Sequence, residues 1–281
     1  MRPRISLAVL AFAMTALVAL GGPNDPASIP AFAKDLPPIT TGKPILAFNG
    51  KDLTGFYPYT HDHGYDDPNR VFTVHDGLLH ISGEELGGVA TCGNFSNYHL
   101  VAEWKWGKKT WGSRAKASRD SGILLHCVGL DGAVGGHWME SIECQIIEGG
   151  CGDLLMVGGR SKPSLTCETR VGPDRQLYYQ KGGKAVTRDS GRYNWWGRDP
   201  SWTDTLGVRG KNDVENPAGE WNRIEVICDG DTITNIVNGY VVNVGTRSSL
   251  SEGKIQFQSE GAEIFFRKIE VRPLQKPRDK P

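Results

Sequence analysis

The chain has no surplus of charge of either sign. Its 32 basic and 32 acidic side chains cancel across 281 residues. A neutral sequence has no global electrostatic pull toward nucleic acid or anionic lipid. Past residue 20, no apolar run approaches the roughly 20 residues that a membrane helix needs. Sustained 3.6-residue apolar periodicity is missing as well, which counts against a helical or α/β fold. There is no G-x-x-x-x-G-K-[ST], no H-E-x-x-H and no G-x-S-x-G elbow. None of the six cysteines forms a C-x-x-C pair, which argues against a zinc ribbon.

What is present begins with an export signal. Arg2 and Arg4 precede the uncharged apolar run 5–20, and an Ala31-Phe32-Ala33 site follows. A short basic region, an apolar segment and small residues are the parts of a secretory signal peptide. Residues 1–33 are therefore read as signal and short linker, and 34–281 as one domain. This expects a periplasmic or extracellular protein with no stable membrane span after processing. Loss of Arg2, Arg4 and Asp25 leaves 30 basic and 31 acidic residues, a formal charge of −1. An exported protein can oxidise its cysteines. Six cysteines allow 15 pairings that sequence cannot choose among; Cys151 and Cys167, in loop-like sequence, are the best disulfide candidates.

The body reads as strands separated by glycine turns, and glycine supplies 36 residues. Asp76-Gly77 and Asn238-Gly239 are two-residue hairpin signals. Strands are expected at 71–75, 78–82, 98–106, 122–128, 142–147, 221–228, 232–237, 240–244, 254–258 and 263–271. Many short strands with no convincing helix indicate an all-β sandwich or jelly roll of two antiparallel sheets. Residues 149–220 look different: rich in Gly, Arg, Tyr and Trp, and poor in apolar runs. They read as a long loop insertion.

Strand periodicity assigns faces. Ile142, Cys144 and Ile146 point one way, and Glu143 and Gln145 the other. Ile255 and Phe257 oppose Lys254, Gln256, Gln258 and Glu260, and Ile224, Val226 and Cys228 oppose Arg223 and Glu225. One face thus carries acids, amides and an arginine. It is either a solvated outer surface or a concave surface that holds a polar ligand. Trp195 and Trp196 in the insertion, and Trp138 before it, could stack on sugar rings or only staple loops to the sandwich.

Several stretches together resemble the 3-keto-disaccharide hydrolase domain family, which has a concanavalin A-like lectin/glucanase sandwich. They are FNGKDLTG (48–55), VHDGLL (74–79), NYHLVAEW (97–104), DSGI (120–123), SIECQIIEGGCGDL (141–154), GEWNRIEV (219–226) and IQFQSEGAEIFFRKIEV (255–271). Two positions depart from the pattern. Asp120 stands where many members have Asn, and Gln258-Ser259-Glu260 where many have Gln-Asp-His.

The resemblance implies cleavage of 3-keto-glycosides. A carbonyl at C3 acidifies the C2 proton, so a base can start elimination of the C1 substituent, and water then adds. Such a site needs a base, a stabiliser for the C3 oxygen and an acid for the leaving group. The catalytic candidates are Glu143, His126 and Glu260. Gln145, Gln258, Arg223, Asp120, Trp138, Trp195 and Trp196 are the substrate-binding candidates. No cofactor is required. Glu148 and Asp153, around a glycine turn, are the residues that could hold a divalent cation such as Ca2+. The loop cluster His61-Asp62-His63 reads chiefly as solvated. A non-catalytic carbohydrate-binding module and a conventional two-carboxylate glycosidase are the alternatives. The partner expected throughout is a carbohydrate, not nucleic acid.

Overall fold

The computed structural model describes residues 36 and 39–275. The expected signal segment and cleavage site lie outside these residues. The strands are, in chain order, β1 (Leu46–Ala47), β2 (Phe56–Thr60), β3 (Phe72–His75), β4 (Leu78–Ile81), β5 (Gly87–Thr91) and β6 (Tyr98–Thr110). A 3-10 turn at Gly112–Arg114 leads to β7 (Asp120–Val128), β8 (Glu140–Ile147), β9 (Leu154–Val157), β10 (Leu165–Val171) and β11 (Leu177–Tyr179). Then come β12 (Lys184–Arg188), β13 (Gly191–Tyr193), β14 (Asn222–Asp229), β15 (Thr232–Val237), β16 (Tyr240–Thr246), β17 (Lys254–Ser259) and β18 (Ala262–Pro273).

They form two antiparallel sheets, the all-β sandwich that the strand pattern predicts. The larger runs β11-β10-β16-β15-β14-β6-β18-β4-β3, with β1 added to β18 and β12 to β10. The smaller runs β13-β9-β8-β7-β17-β5-β2. Both predicted two-residue turns form. Asp76 and Gly77 take φ of 53° and 77°, and Asn238 and Gly239 take 46° and 87°. These left-handed pairs match the twist of the flanking strands. Proline explains why β2 escapes a sequence reading. Pro58 cannot donate to a ladder, and β2 is the edge strand where that costs least.

Between the sheets lies one large apolar core. Trp104, Trp106 and Phe266 come from the larger sheet; Phe257, Ile142, Cys144 and Ile146 come from the smaller. Phe257 meets Phe266 edge-to-face with ring centroids 5.2 Å apart. Aromatic pairs of this kind add roughly 0.5–1.5 kcal/mol beyond their burial.

Two expectations are corrected here. The 149–220 segment is not one long loop, because β9 to β13 run through it. Its longest stretch without a named strand is the last part, 194–220. Cys151 and Cys167 do not pair; both are free and buried in the core. Burial, rather than a crosslink, accounts for them.

One feature of the smaller sheet prepares the site. Every residue of β8 is buried, and so is every residue of β17 after Lys254. Both faces of these central strands are therefore covered. One face packs on the larger sheet and the other is roofed by loops. Glu143 and Gln145 are accordingly not a solvated outer surface.

Candidate functional site

Strand register assembles the covered face. Leu124 on β7 sits between Glu143 on β8 and Gln256 on β17. Gly122 pairs with Gln145, and Asp120 with Ile147. At the other side, Leu155 on β9 separates Glu143 from Arg192 on β13. Glu260 follows the end of β17. The face is thus a row of acids and amides with an arginine at its margin.

Gly122 has a specific reason to be glycine. A Cβ there would collide with Glu143 Oε1 and Gln258 Oε1. The missing side chain lets a carboxyl and an amide from the two neighbouring strands meet over β7.

Three carboxyls share this space, and their titration is far from ordinary. Asp120 is 2% exposed and Glu143 3%. Burial pushes Asp120 up to about 7, against the pull of Arg114 and Arg192. Burial also pushes Glu143 up to about 8, and the neighbouring charge of Asp120 adds to the rise. Glu260 is raised well above the usual carboxylate range by burial, then by Asp120 and Glu143. Desolvation and like charge both favour the protonated acid. Near neutral pH the cluster therefore holds fewer negative charges than carboxyls.

Two arginines complete the electrostatics. Arg114, on the 3-10 turn, pairs with Asp120 and at 2.8 Å with Asp204. Arg192 reaches Asp153 at 3.2 Å.

Some buried atoms have no protein partner. Asp120 Oδ1, Glu143 Oε1, Gln256 Nε2 and both amide atoms of Gln258 are buried without a hydrogen bond among the described residues. Buried polar atoms ordinarily have partners. A group of orphans converging on one face is suited to completion by a polar ligand.

Space for that ligand lies alongside. One cavity of about 480 Å³ is lined by Trp111, Arg114, Trp138, Asp204 and Glu260. A second, of about 300 Å³, is lined by Asp120, Tyr178, Arg192 and Trp202, and again by Arg114 and Asp204. The Arg114–Asp204 pair borders both cavities. Glu260 faces the first and Asp120 the second.

The structure sorts the sequence candidates. It brings together Glu143, Glu260, Asp120, Gln258 and Trp138. Gln145 is on the same face, but its side-chain carbonyl accepts the Ile146 backbone N–H at 3.0 Å.

The others lie elsewhere. His126 does not face the site. It is fully buried at φ 52°, inside a bulge between Leu125 and Val128. The bulge breaks the alternation that would have put it beside Leu124. Its ring packs on Tyr98 at 5.5 Å, and burial pushes its pKa down to about 4. Arg223 is on β14 of the other sheet, held by Glu225 at 2.8 Å and Glu103 at 3.3 Å.

Trp195 is 1% exposed, and its indole N–H donates to the Gly149 carbonyl. Trp196 donates to the Val241 carbonyl at 2.9 Å. Both indole N–H groups are thus committed to backbone carbonyls, and neither residue lines a cavity beside the carboxyl cluster. Glu148 is held by Arg119 at 2.6 Å, and Asp153 by Arg192 and Arg198. Guanidinium groups thus take the two carboxylates considered for a cation. Among the described residues, no group of three or more His, Cys, Asp or Glu side chains is arranged to hold a metal ion.

Arg114, Arg192, Asp204 and Trp111 were not singled out from sequence. Arg114 lies on a one-turn 3-10 element and Asp204 in a segment without a named strand, neither with a readable periodicity, and only the fold brings them together.

Residues 43–272 match the family described as the 3-keto-alpha-glucoside-1,2-lyase-like domain. The chain belongs to this family. Membership makes it a carbohydrate-active jelly-roll protein. Among solved structures, it is similar to a Parabacteroides distasonis ATCC 8503 protein provisionally assigned as a glycosyl hydrolase. The two are 19% identical, with a TM-score of 0.46 over 81% of this chain and 92% of that one. A Bacillus subtilis protein of unknown function with a galectin-like fold is 10% identical, with a TM-score of 0.47 over 85% and 100%. The Bacillus licheniformis beta-glucanase is 11% identical, with a TM-score of 0.43 over 85% and 100%. None of the curated proteins matches the chain.

Proposed function

We propose that the protein is an exported enzyme that cleaves 3-keto-glycosides by elimination and hydration at the Asp120–Glu143–Glu260 cluster. The observation that carries this reading is the cluster itself. Three carboxyls are pressed together, raised by burial, and set beside two arginines.

Each requirement of the chemistry has a group of suitable state. Asp120, raised to about 7 where Glu143 is raised to about 8, and partnered by Arg114, is readily ionised near pH 7. It serves as the base for the C2 proton. The electrons of that C–H bond form the C2–C3 enolate. Arg192 and the protonated carboxyl of Glu143 offer positive charge and a hydrogen bond to the C3 oxygen. When the enolate collapses, the C1–O bond breaks. Glu260, held as an acid, supplies a proton to the departing oxygen. Water then adds across the enone. The net change is one water consumed, one free alcohol released and one 3-keto sugar released.

The reading gives no role to a resident cofactor, and a chelator is expected to leave the rate unchanged. Export rests on residues 1–33. The mass of the protein recovered outside the cytoplasm would reveal their removal.

The decisive assay offers the pure protein a 3-keto-glucoside and its unoxidised parent. Cleavage of the keto form alone supports the mechanism. Comparable cleavage of the parent would replace it with ordinary two-carboxylate hydrolysis.

A further inference from the structure

The cavity beside Glu260 does not stand alone. A third cavity, of about 500 Å³, is lined by His61, Asp62, Asn69, Glu85, Gly135 and His137. Glu84 and Leu86 line both cavities. The three spaces therefore form a series. Arg114 and Asp204 border the first junction, and Glu84 and Leu86 the second. The carboxyl cluster sits at the first junction, so two cavities lie on one side of the reacting centre and one on the other.

The second junction has the features of a binding surface. Leu86 is a large apolar side chain left 40% exposed between two polar cavities. Trp138 lines one side, and the His137 ring meets it edge-on at 4.2 Å. An apolar side chain beside polar groups suits the C–H face of a sugar ring. Glu84 is exposed, and its carboxylate has no hydrogen-bond or ion-pair partner among the described residues. By contrast, neighbouring Glu85 is buried and taken by Asp62, His63 and Asn69. Burial and the nearby His61 push His137 below the usual histidine range, which favours its neutral form. With Asp62, Glu84 and Glu85 in its lining and no Lys or Arg, the cavity is anionic and rich in hydrogen-bonding groups.

From this series of cavities we propose that the leaving-group side of the cleft binds more than one sugar ring, passing over Leu86 into the His61–His137 cavity. The inference rests on the function proposed above. It specifies the leaving group as uncharged and hydroxyl-rich. Glu84 is its specificity residue, accepting hydroxyl hydrogen bonds and repelling anionic substituents.

The test is a series of 3-keto-glucosides whose leaving group is methanol, glucose or a glucose disaccharide. The added second ring is expected to raise kcat/KM by about tenfold, the value of one or two good hydrogen bonds. His61→Trp, which fills the third cavity, should abolish that last gain and leave the methyl and single-glucose substrates unchanged. Glu84→Lys should improve cleavage when the leaving sugar is a uronic acid, relative to the neutral sugar. Equal rates for one and two leaving rings would overturn the inference. So would a His61→Trp defect of equal size on all three substrates. If no keto-glycoside is cleaved, the proposed function falls by itself. The cavity is then judged by calorimetry with unoxidised glucose oligomers. Trisaccharide binding that is tighter than disaccharide binding and is lost in His61→Trp would support it. Equal binding would overturn it.

Discussion

The covered face of the smaller sheet and the outer face of the larger one carry similar residues with opposite electrostatics. On the larger sheet, Glu225 lies between His99 at 2.8 Å and Arg223 at 2.8 Å. Glu103 takes Arg223 and Arg267, and Glu270 takes Lys268 and Arg272. Partial burial would raise Glu225, but hydrogen bonds from His99 and Arg223 outweigh it and bring it down to about 2. On the smaller sheet, Asp120, Glu143 and Glu260 face one another and are all raised. The strand alternation that selects the acids is the same in both places. Satisfied charge marks a structural surface; crowded and unsatisfied charge marks a place where a ligand or proton is missing. Catalytic acids need shifted pKa values, and only one face has them shifted upward.

The largest test of this contrast is a matched pair of isosteric changes. Glu143→Gln keeps the shape and removes the titrating group. It is expected to lower kcat/KM on a 3-keto-glycoside by about 10²–10⁴-fold, the range for an acid–base or charge-stabilising group. Glu225→Gln should leave kcat/KM within about twofold, since it lies on the opposite sheet. Equal losses would mean that the two faces are not functionally distinct. Full activity in Glu143→Gln would remove that carboxyl from the chemistry.

A second pair compares cations. Arg114→Lys keeps the charge but loses the fork that holds Asp120 and Asp204 together. A fall in kcat of about 10–100-fold is expected, as for a displaced charge-stabilising donor. The pH profile should move as well, because Asp120 would lose part of what keeps it as low as about 7. Its acid limb should shift upward. Arg223→Lys should change neither quantity. An unchanged Arg114→Lys profile would separate Arg114 from the ionisation of Asp120.

Particular residues show how much of this was legible in the sequence. Glu143 was legible because alternation in Ser141–Ile147 survives intact in β8. Its burial was not, because periodicity assigns a face without saying what covers it. Arg223 satisfied the same alternation and landed on the wrong sheet, since period two cannot tell which sheet a strand joins. His126 failed for a local reason: a bulge reversed the side on which it points. Trp195 and Trp196 came from composition alone, and their indole N–H groups turned out to be committed to backbone carbonyls. The turns were read correctly because Asp-Gly and Asn-Gly specify backbone conformation within two residues. Arg114 and Asp204 were invisible because they lie 90 residues apart and meet only through the fold.

The smallest expected effects are on stability, and here the two faces differ in sign. Glu143 has a folded pKa of about 8, raised above its ordinary 4.5. Between these values the folded protein binds more protons than the unfolded chain, so stability falls as pH rises through that window. Below about pH 4 both states are protonated and the group costs little. Above about pH 8 the full cost of a buried carboxylate is present. Glu143→Gln should therefore be more stable than the parent at pH 8, by roughly 1–3 kcal/mol, with the advantage vanishing toward pH 4. Glu225 is the reverse case, lowered from 4.5 to about 2. Its contribution is present above the unfolded value and is lost as pH falls through about 2. Because it is partly exposed and screened, Glu225→Gln should cost no more than about 1 kcal/mol at pH 7. Chemical denaturation of the parent and both variants across pH 3 to 8 measures both slopes. If the two variants deviate from the parent in the same direction at pH 8, the two faces do not have opposite electrostatics.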